Sequence, residues 1–155
     1  MQLTTNSQLD ARNINFTENY SIGRGSVLFA DYQAVYAYFS NCSFVRNYAY
    51  QGGVFYVQYS SQVVVVASTI TSNFAVTGGV AYVNNDGQIA ITAGTKVFGN
   101  SALNTCFLFL INTQQFSQLS GITVTQNDQN HALIPKTKFL SINGSYGFLQ
   151  APYFA

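Results

Sequence analysis

Short apolar runs alternate with turn-forming residues along the whole chain, and no stretch shows the three-to-four-residue spacing of an amphipathic helix. Two runs, Gln62-Val63-Val64-Val65-Val66 and Gln88-Ile89-Ala90-Ile91-Thr92, are β-branched and of strand length. Others follow small-residue turns: Ser26-Val27-Leu28-Phe29, Val54-Phe55-Tyr56-Val57, Val80-Ala81-Tyr82-Val83 and Phe107-Leu108-Phe109-Leu110. The greasiest run, Cys106 to Ile111, has the length of a buried strand and falls far short of the ~18 residues a membrane span needs. The pattern predicts an all-β chain with no membrane span in this segment.

The runs recur with a period. A large apolar residue, two variable residues and an Asn appear five times: Phe16 to Asn19, Phe44 to Asn47, Ile70 to Asn73, Val97 to Asn100 and Val124 to Asn127, at Asn-to-Asn steps of 28, 26, 27 and 27 residues. Five or six residues beyond the Asn stands a turn: Gly52-Gly53, Gly78-Gly79, the variant Gly23-Arg24-Gly25 and the degenerate Thr105-Cys106. An apolar strand follows each turn, and a β-branched run precedes the next Asn motif. The expected fold is a right-handed, single-stranded parallel β-helix, a pectin-lyase-like solenoid of about five to six rungs of ~27 residues, with three short strands per rung. The rungs are placed at about 7–33, 34–60, 61–87, 88–114 and 115–155, with Lys138 to Asn143 opening a sixth. Ser7-Gln8-Leu9 stands twelve residues before Asn19, as Ser61-Gln62-Val63 stands before Asn73, which reads as a start midway through a coil of a longer array.

Stacking explains the recurrence, because a rung buries its inner face only against another rung. Two inner columns are expected, Val27, Phe55, Ala81 and Leu108, and Phe29, Val57, Val83 and Leu110, each buried member contributing ~1.5–3 kcal/mol. Asn19, Asn47, Asn73, Asn100 and Asn127 form an expected amide ladder at a corner, where the amide bonds backbone or the next amide and Asn tolerates left-handed angles. The turn glycines Gly23, Gly25, Gly52, Gly53, Gly78 and Gly79 are expected to permit positive φ.

Composition narrows the function classes. Only 7% of the 155 residues are charged, against roughly 25% in an ordinary soluble domain, so polarity comes from amides, hydroxyls and Tyr. A net charge of +1 without any Lys/Arg cluster lacks the field that nucleic acid or anionic lipid binding requires, so no nucleic acid partner is expected. With 11 Tyr and 13 Phe there are more aromatic rings than one narrow interior needs. Tyr56 and Tyr82 alternate with inward positions, and with Leu28 and Phe109 they form an expected outward stripe for contact with protein or carbohydrate.

The tandem of Phe44 to Asn47 with Gly52-Gly53-Val54-Phe55, repeated from Ile70 to Val83 and with partial copies at Phe16/Asn19 and Val97/Asn100, resembles the repeats of chlamydial polymorphic outer membrane proteins, and of very large Asn/Gln/Tyr-rich surface proteins of protists. The resemblance runs over essentially the whole chain. It departs where Cys106 replaces a Gly and where no second half follows Asn127. It implies a secreted or surface-displayed adhesive passenger.

The rival class is a polysaccharide-cleaving or polysaccharide-binding β-helix, since pectate lyases and polygalacturonases use this architecture. Cleavage needs carboxylates close together. The five acids are Asp10, Glu18, Asp31, Asp86 and Asp128; Asp31 and Asp86 stand at +12 and +13 from their motif Asn on rungs two apart, about 9.6 Å along the axis. Glu18 and Arg46 share a motif position on successive rungs, which predicts a surface ion pair of under ~1 kcal/mol. His131 has no accompanying ligand motif and reads as a loop residue. Cys42 and Cys106 fall at different points of the repeat, five before Asn47 and six after Asn100, and are expected as free, buried thiols. No enzyme, cofactor or metal is expected. Sequons at Asn15, Asn19, Asn41 and Asn143 favour secretion. The expectation is a non-catalytic structural or adhesive module at the cell surface or outside the cell, associating with proteins, with itself end to end or laterally, or with surface glycans.

Overall fold

The computed structural model describes residues 1–31, 35–111, 118–125 and 140–143, and these form an all-β parallel solenoid of about four turns. In chain order the strands are β1 (Gln2–Leu3), β2 (Gln8–Arg12), β3 (Asn15–Thr17), β4 (Leu28–Ala30), β5 (Tyr36–Ser40), β6 (Ser43–Val45), β7 (Tyr48–Gln51), β8 (Phe55–Val57), β9 (Gln62–Val66) and β10 (Thr69–Thr71). They continue with β11 (Phe74–Thr77), β12 (Ala81–Asn84), β13 (Gln88–Thr92), β14 (Lys96–Phe98), β15 (Ser101–Asn104), β16 (Leu108–Ile111), β17 (Gln118–Ser120), β18 (Thr123–Thr125) and β19 (Leu140–Asn143). No helix among the described residues is long and apolar enough to cross a membrane.

The strands stack into four sheets, in the orders β1-β4-β8-β12-β16-β19, β2-β5-β9-β13-β17, β3-β6-β10-β14-β18 and β7-β11-β15. A full coil therefore has four strands rather than three. The fourth is β7, β11 or β15, which begins at the residue after the motif Asn; the sequence reading merged it into the turn because its inward member is only Ala49, Ala75 or Ala102. Pairing is parallel throughout, and each motif residue lies beside its copy one coil on, as Phe16, Phe44, Ile70, Val97 and Val124 do.

Alternation decides which side chains go inside. In β9 and β13 the buried members are Val63 and Val65, and Ile89 and Ile91, while their neighbours face outward. They face Phe44, Ile70 and Val97 of the third sheet and Phe55, Val57 and Val83 of the first, in one continuous core. Phe16, Phe39, Phe44 and Phe55 interlock there with ring centroids 5.1–5.7 Å apart.

Two register assignments are corrected. In the first coil Leu28, not Val27, pairs with Phe55, so the inner columns are Leu28-Phe55-Ala81-Leu108 and Ala30-Val57-Val83-Leu110. The cause is one additional residue: three residues separate Tyr20 from Arg24, two separate their partners Tyr48 and Gln51, and the extra length is taken up around the exposed Ile22. The second concerns Leu140 to Asn143. They do not open a sixth coil but pair with β16, supplying the second half of the fifth unit after a longer connection.

Candidate functional site

The motif corner is built on a ladder of side-chain amides. Asn19, at the ladder's exposed end, donates through both its backbone N–H and its Nδ2 to Asn47 Oδ1, at 3.0 and 2.8 Å. Asn47 does the same to Asn73 Oδ1, both at 2.9 Å, and Asn73 to Asn100 Oδ1, at 3.0 and 2.8 Å. Each amide also reaches back, Asn47 Nδ2 donating to the Phe16 carbonyl, Asn73 Nδ2 to that of Phe44 and Asn100 Nδ2 to that of Ile70. Asn47, Asn73 and Asn100 are buried, and this bonding offsets the desolvation of a buried amide. Asn127 lies outside the described residues.

The left-handed residue of this corner is not the Asn but the one before it: Glu18, Arg46, Ser72 and Gly99 have φ of 56, 51, 57 and 64°. The motif thus divides its labour between a solvent-facing residue that takes the backbone turn and an Asn that supplies hydrogen bonds. Glu18 and Arg46, held in this column, form the surface ion pair at 2.7 Å.

The glycine turn divides in the same way. Gly25, Gly52, Gly78 and Thr105 occupy the positive-φ position, at 47, 67, 69 and 60°. Gly53 and Gly79 do not; a Cβ on Gly53 would collide with the Gly79 carbonyl, and one on Gly79 with that of Cys106, so these two are small because the coils approach closely. Gly23 lies outside this column, without a positive φ and with open space around it; its N–H bonds to Ser21 Oγ at 3.2 Å and its carbonyl accepts the Tyr50 and Gln51 N–H groups.

A second polar ladder escaped the sequence reading. Ser68 Oγ accepts the Cys42 N–H at 3.0 Å and donates to the Val66 carbonyl, and Thr95 Oγ1 accepts the Ser68 N–H at 3.3 Å and donates to the Thr92 carbonyl. Its signal was a small polar residue two places before the apolar residue of the three middle motifs, Cys42, Ser68 and Thr95, where the outer two motifs have Ile14 and Ile122. Cys42 Sγ lies 3.4 Å from the Ala11 and Ser40 carbonyls, and both Cys42 and Cys106 are buried free thiols.

The outward stripe differs from expectation in membership and in exposure. Its column is Phe29, Tyr56, Tyr82 and Phe109; Leu28 is fully buried in the core. Tyr56 and Tyr82 stack at 5.0 Å and 4°, Tyr82 and Phe109 at 5.0 Å and 24°, and Phe29 meets Tyr56 edge-on at 5.3 Å. The Arg24 guanidinium lies 4.8 Å from the Tyr56 ring centre and 5.7 Å from that of Phe29. Tyr56 is 2% and Phe109 7% exposed while Phe29 and Tyr82 are half-buried, so this stack is only partly open to solvent. A second aromatic column is open at one end. Tyr20, Tyr48 and Phe74, each following a ladder Asn, stack at 5.0 and 5.4 Å, with Tyr20 69% exposed.

The described acids stand in different settings. Asp31 is buried and accepts a hydrogen bond from Gln58 Nε2, whereas Asp86 has a left-handed backbone, φ 62°, in the turn after β12. Among the described residues no three His, Cys, Asp or Glu side chains gather in a metal-holding group. His131 and Asp128 lie outside the described residues. Of the sequon asparagines, Asn15 and Asn41 are exposed, Asn19 ends the ladder, and Asn143 closes β19; Asn41 Nδ2 donates to Asn13 Oδ1 at 2.6 Å.

One concavity of about 470 Å³ lies on the outer face of the second sheet, lined by Gln8, Leu9, Asp10, Arg12, Tyr36 and Tyr38. Arg12 Nε and Nη2 donate to the two carboxylate oxygens of Asp10, each at 2.8 Å, and the guanidinium lies 5.7 Å from the Tyr38 ring centre. The hydrogen bonds from Arg12 hold the Asp10 carboxyl below its ordinary range, and the same bonds raise Arg12, so both stay charged. No family model matches the chain, and no curated protein or solved structure is significantly similar to it.

Proposed function

We propose that this chain is a non-catalytic structural and adhesive module of an extracellular or cell-surface protein, its right-handed coils stacking on further coils of the same kind into a rod or filament. The observation that carries the reading is the amide ladder. Every interior Asn bonds the coil before it and the coil after it, so the interface between coils repeats, and any coil with the motif can extend it. At the β2 end no strand among the described residues lies beyond β2 and β3, Asn19 is exposed, and Leu9 and Phe16 only partly close the core. Unpaired edges over an open apolar core favour addition of another coil. The resemblance to surface-protein repeats and the exposed sequon at Asn15 support display outside the cell.

The test is particle morphology against concentration, by light scattering and negative-stain electron microscopy. Rods that lengthen with concentration are expected, and Asn19→Asp, which places a carboxylate at the open end of the ladder, shortens them. Monodisperse monomers at all concentrations, or release of reducing or unsaturated sugars from pectic substrates, would overturn the reading.

A further inference from the structure

We propose that the concavity between β2 and β5 is a subsite for a neutral saccharide, with Tyr36 as the stacking face and Gln8, Asp10 and Arg12 as the hydroxyl-binding groups. This rests on the adhesive half of the function proposed above and names the ligand class.

Parallel register sets Gln8 beside Tyr36, Asp10 beside Tyr38 and Arg12 beside Ser40, so the outward residues of β2 are polar and the first two of β5 are phenolic rings one coil away. The two strands thus set hydrogen-bonding groups beside aromatic area. The concavity holds about 470 Å³ and is largely open to solvent, a shallow groove rather than an enclosed pocket. Tyr36 is 41% exposed, and a phenol ring offers a rigid apolar face with one polar end, the complement of a pyranose with its C–H face and its ring of hydroxyls.

The ion pair decides the charge of the ligand. Both Asp10 oxygens are engaged by Arg12, and two of the five guanidinium N–H groups are used. An incoming uronate or phosphate would meet an Arg12 whose charge Asp10 already neutralises, and would sit beside that carboxylate. A diol brings no charge: it takes one hydrogen bond from a remaining N–H and gives one to a remaining carboxylate lone pair. The side chains of Arg12 and Asp10 are 65% and 55% exposed, so both can be reached. Glu18 and Arg46 form a comparable exposed pair, yet neither lines this cavity, so an ion pair alone does not define the site. The Gln8-Tyr36 column continues as Gln62 and Gln88 on the next coils, a polar track along the axis that suits a chain of sugars better than one.

The experiment titrates the whole chain with cellohexaose, maltohexaose and chitohexaose, and with trigalacturonate as the charged control, by calorimetry and by backbone amide shifts. At least one neutral hexasaccharide is expected to bind with a Kd of about 1 mM or tighter, with shifts confined to β2, β5 and their outward neighbours. Tyr36→Ala and Arg12→Gln, both at exposed positions and checked for retained circular dichroism, each weaken binding about tenfold or more, while Tyr20→Ala on another sheet does not. The inference falls if no neutral probe binds up to about 10 mM, if trigalacturonate is preferred, if the shifts lie elsewhere, or if both variants bind like the parent. Rods without saccharide binding would sink this inference and leave the assembly reading standing; monomers that bind saccharide would do the reverse.

Discussion

Two columns of like residues run along the solenoid axis, the amides Asn19-Asn47-Asn73-Asn100 at one corner and the rings Phe29-Tyr56-Tyr82-Phe109 on the first sheet, and they hold the coils together by different physics. Each interior amide accepts a backbone and a side-chain N–H from the coil before, and donates to that coil's carbonyl and to the next amide. No other side chain supplies an acceptor and two donors in that shape. The rings need only flat area at a spacing near 5 Å, which Phe and Tyr both provide. The amide column therefore keeps one residue type in all four described coils, whereas the ring column mixes two. Directional bonding fixes register; stacking follows it.

The comparison breaks most sharply at Asn73, which is fully buried. Asn73→Asp keeps the size but removes the two donors to the Phe44 carbonyl and to Asn100 Oδ1, and sets a buried carboxylate against both oxygens. A loss on the order of 4 kcal/mol follows from unsatisfied and uncompensated buried groups, a large share of a total near 5–15 kcal/mol. Thermal and urea unfolding check it, and a Tm fall of more than about 10 °C is expected. Tyr56→Leu is the matching change in the other column. It keeps apolar bulk, as the core-side columns do with Leu, and loses two ring contacts and the Arg24 contact, for about 1–2 kcal/mol in the same unfolding measurements. If the two substitutions cost the same, the distinction between directional and non-directional columns is wrong.

That distinction also explains what was legible in the sequence. The Asn column, the β-branched strands Gln62 to Val66 and Gln88 to Thr92, and the Gly52-Gly53 and Gly78-Gly79 turns were readable because their physics admits few residue types. The first-coil alignment was not, because apolar residues are interchangeable: Val27, Leu28 and Phe29 fit an inner column equally well on paper. Only the pairing of Arg24 with Gln51 shows that the turn glycine is Gly25 and that Ile22 is the additional residue. The left-handed corner was assigned to Asn by general tolerance, yet Glu18, Arg46 and Ser72 take it, since at an exposed turn the backbone penalty is small beside the value of a buried amide. The fourth strand went unseen because Ala49, Ala75 and Ala102 carry almost no hydrophobic signal. The binding concavity was invisible for another reason: Asp10, Arg12, Tyr36 and Tyr38 are 24 or more residues apart across the two strands, and only parallel register joins them.

The smallest expected effect sharpens the picture of the ring column, and it is a dependence on pH. Burial raises the Tyr82 hydroxyl above the ordinary value of 10.0, the neighbouring Tyr56 adds to the rise, and Arg24 opposes it. The folded chain therefore holds the Tyr82 proton at a pH where the unfolded chain has begun to release it. Below pH 10 both states are protonated and the contribution is fully present; as pH rises from 10 through the folded value, the unfolded state binds fewer protons and stability falls. Tyr82→Phe keeps the stack, since Phe109 already occupies the next place, and removes the titrating group. Urea unfolding on either side of pH 10, with ultraviolet detection of tyrosinate, should show the parent losing more stability across that interval than the Phe variant. Equal losses in the two proteins would mean that the half-buried Tyr82 hydroxyl is as well solvated in the folded chain as in the unfolded one.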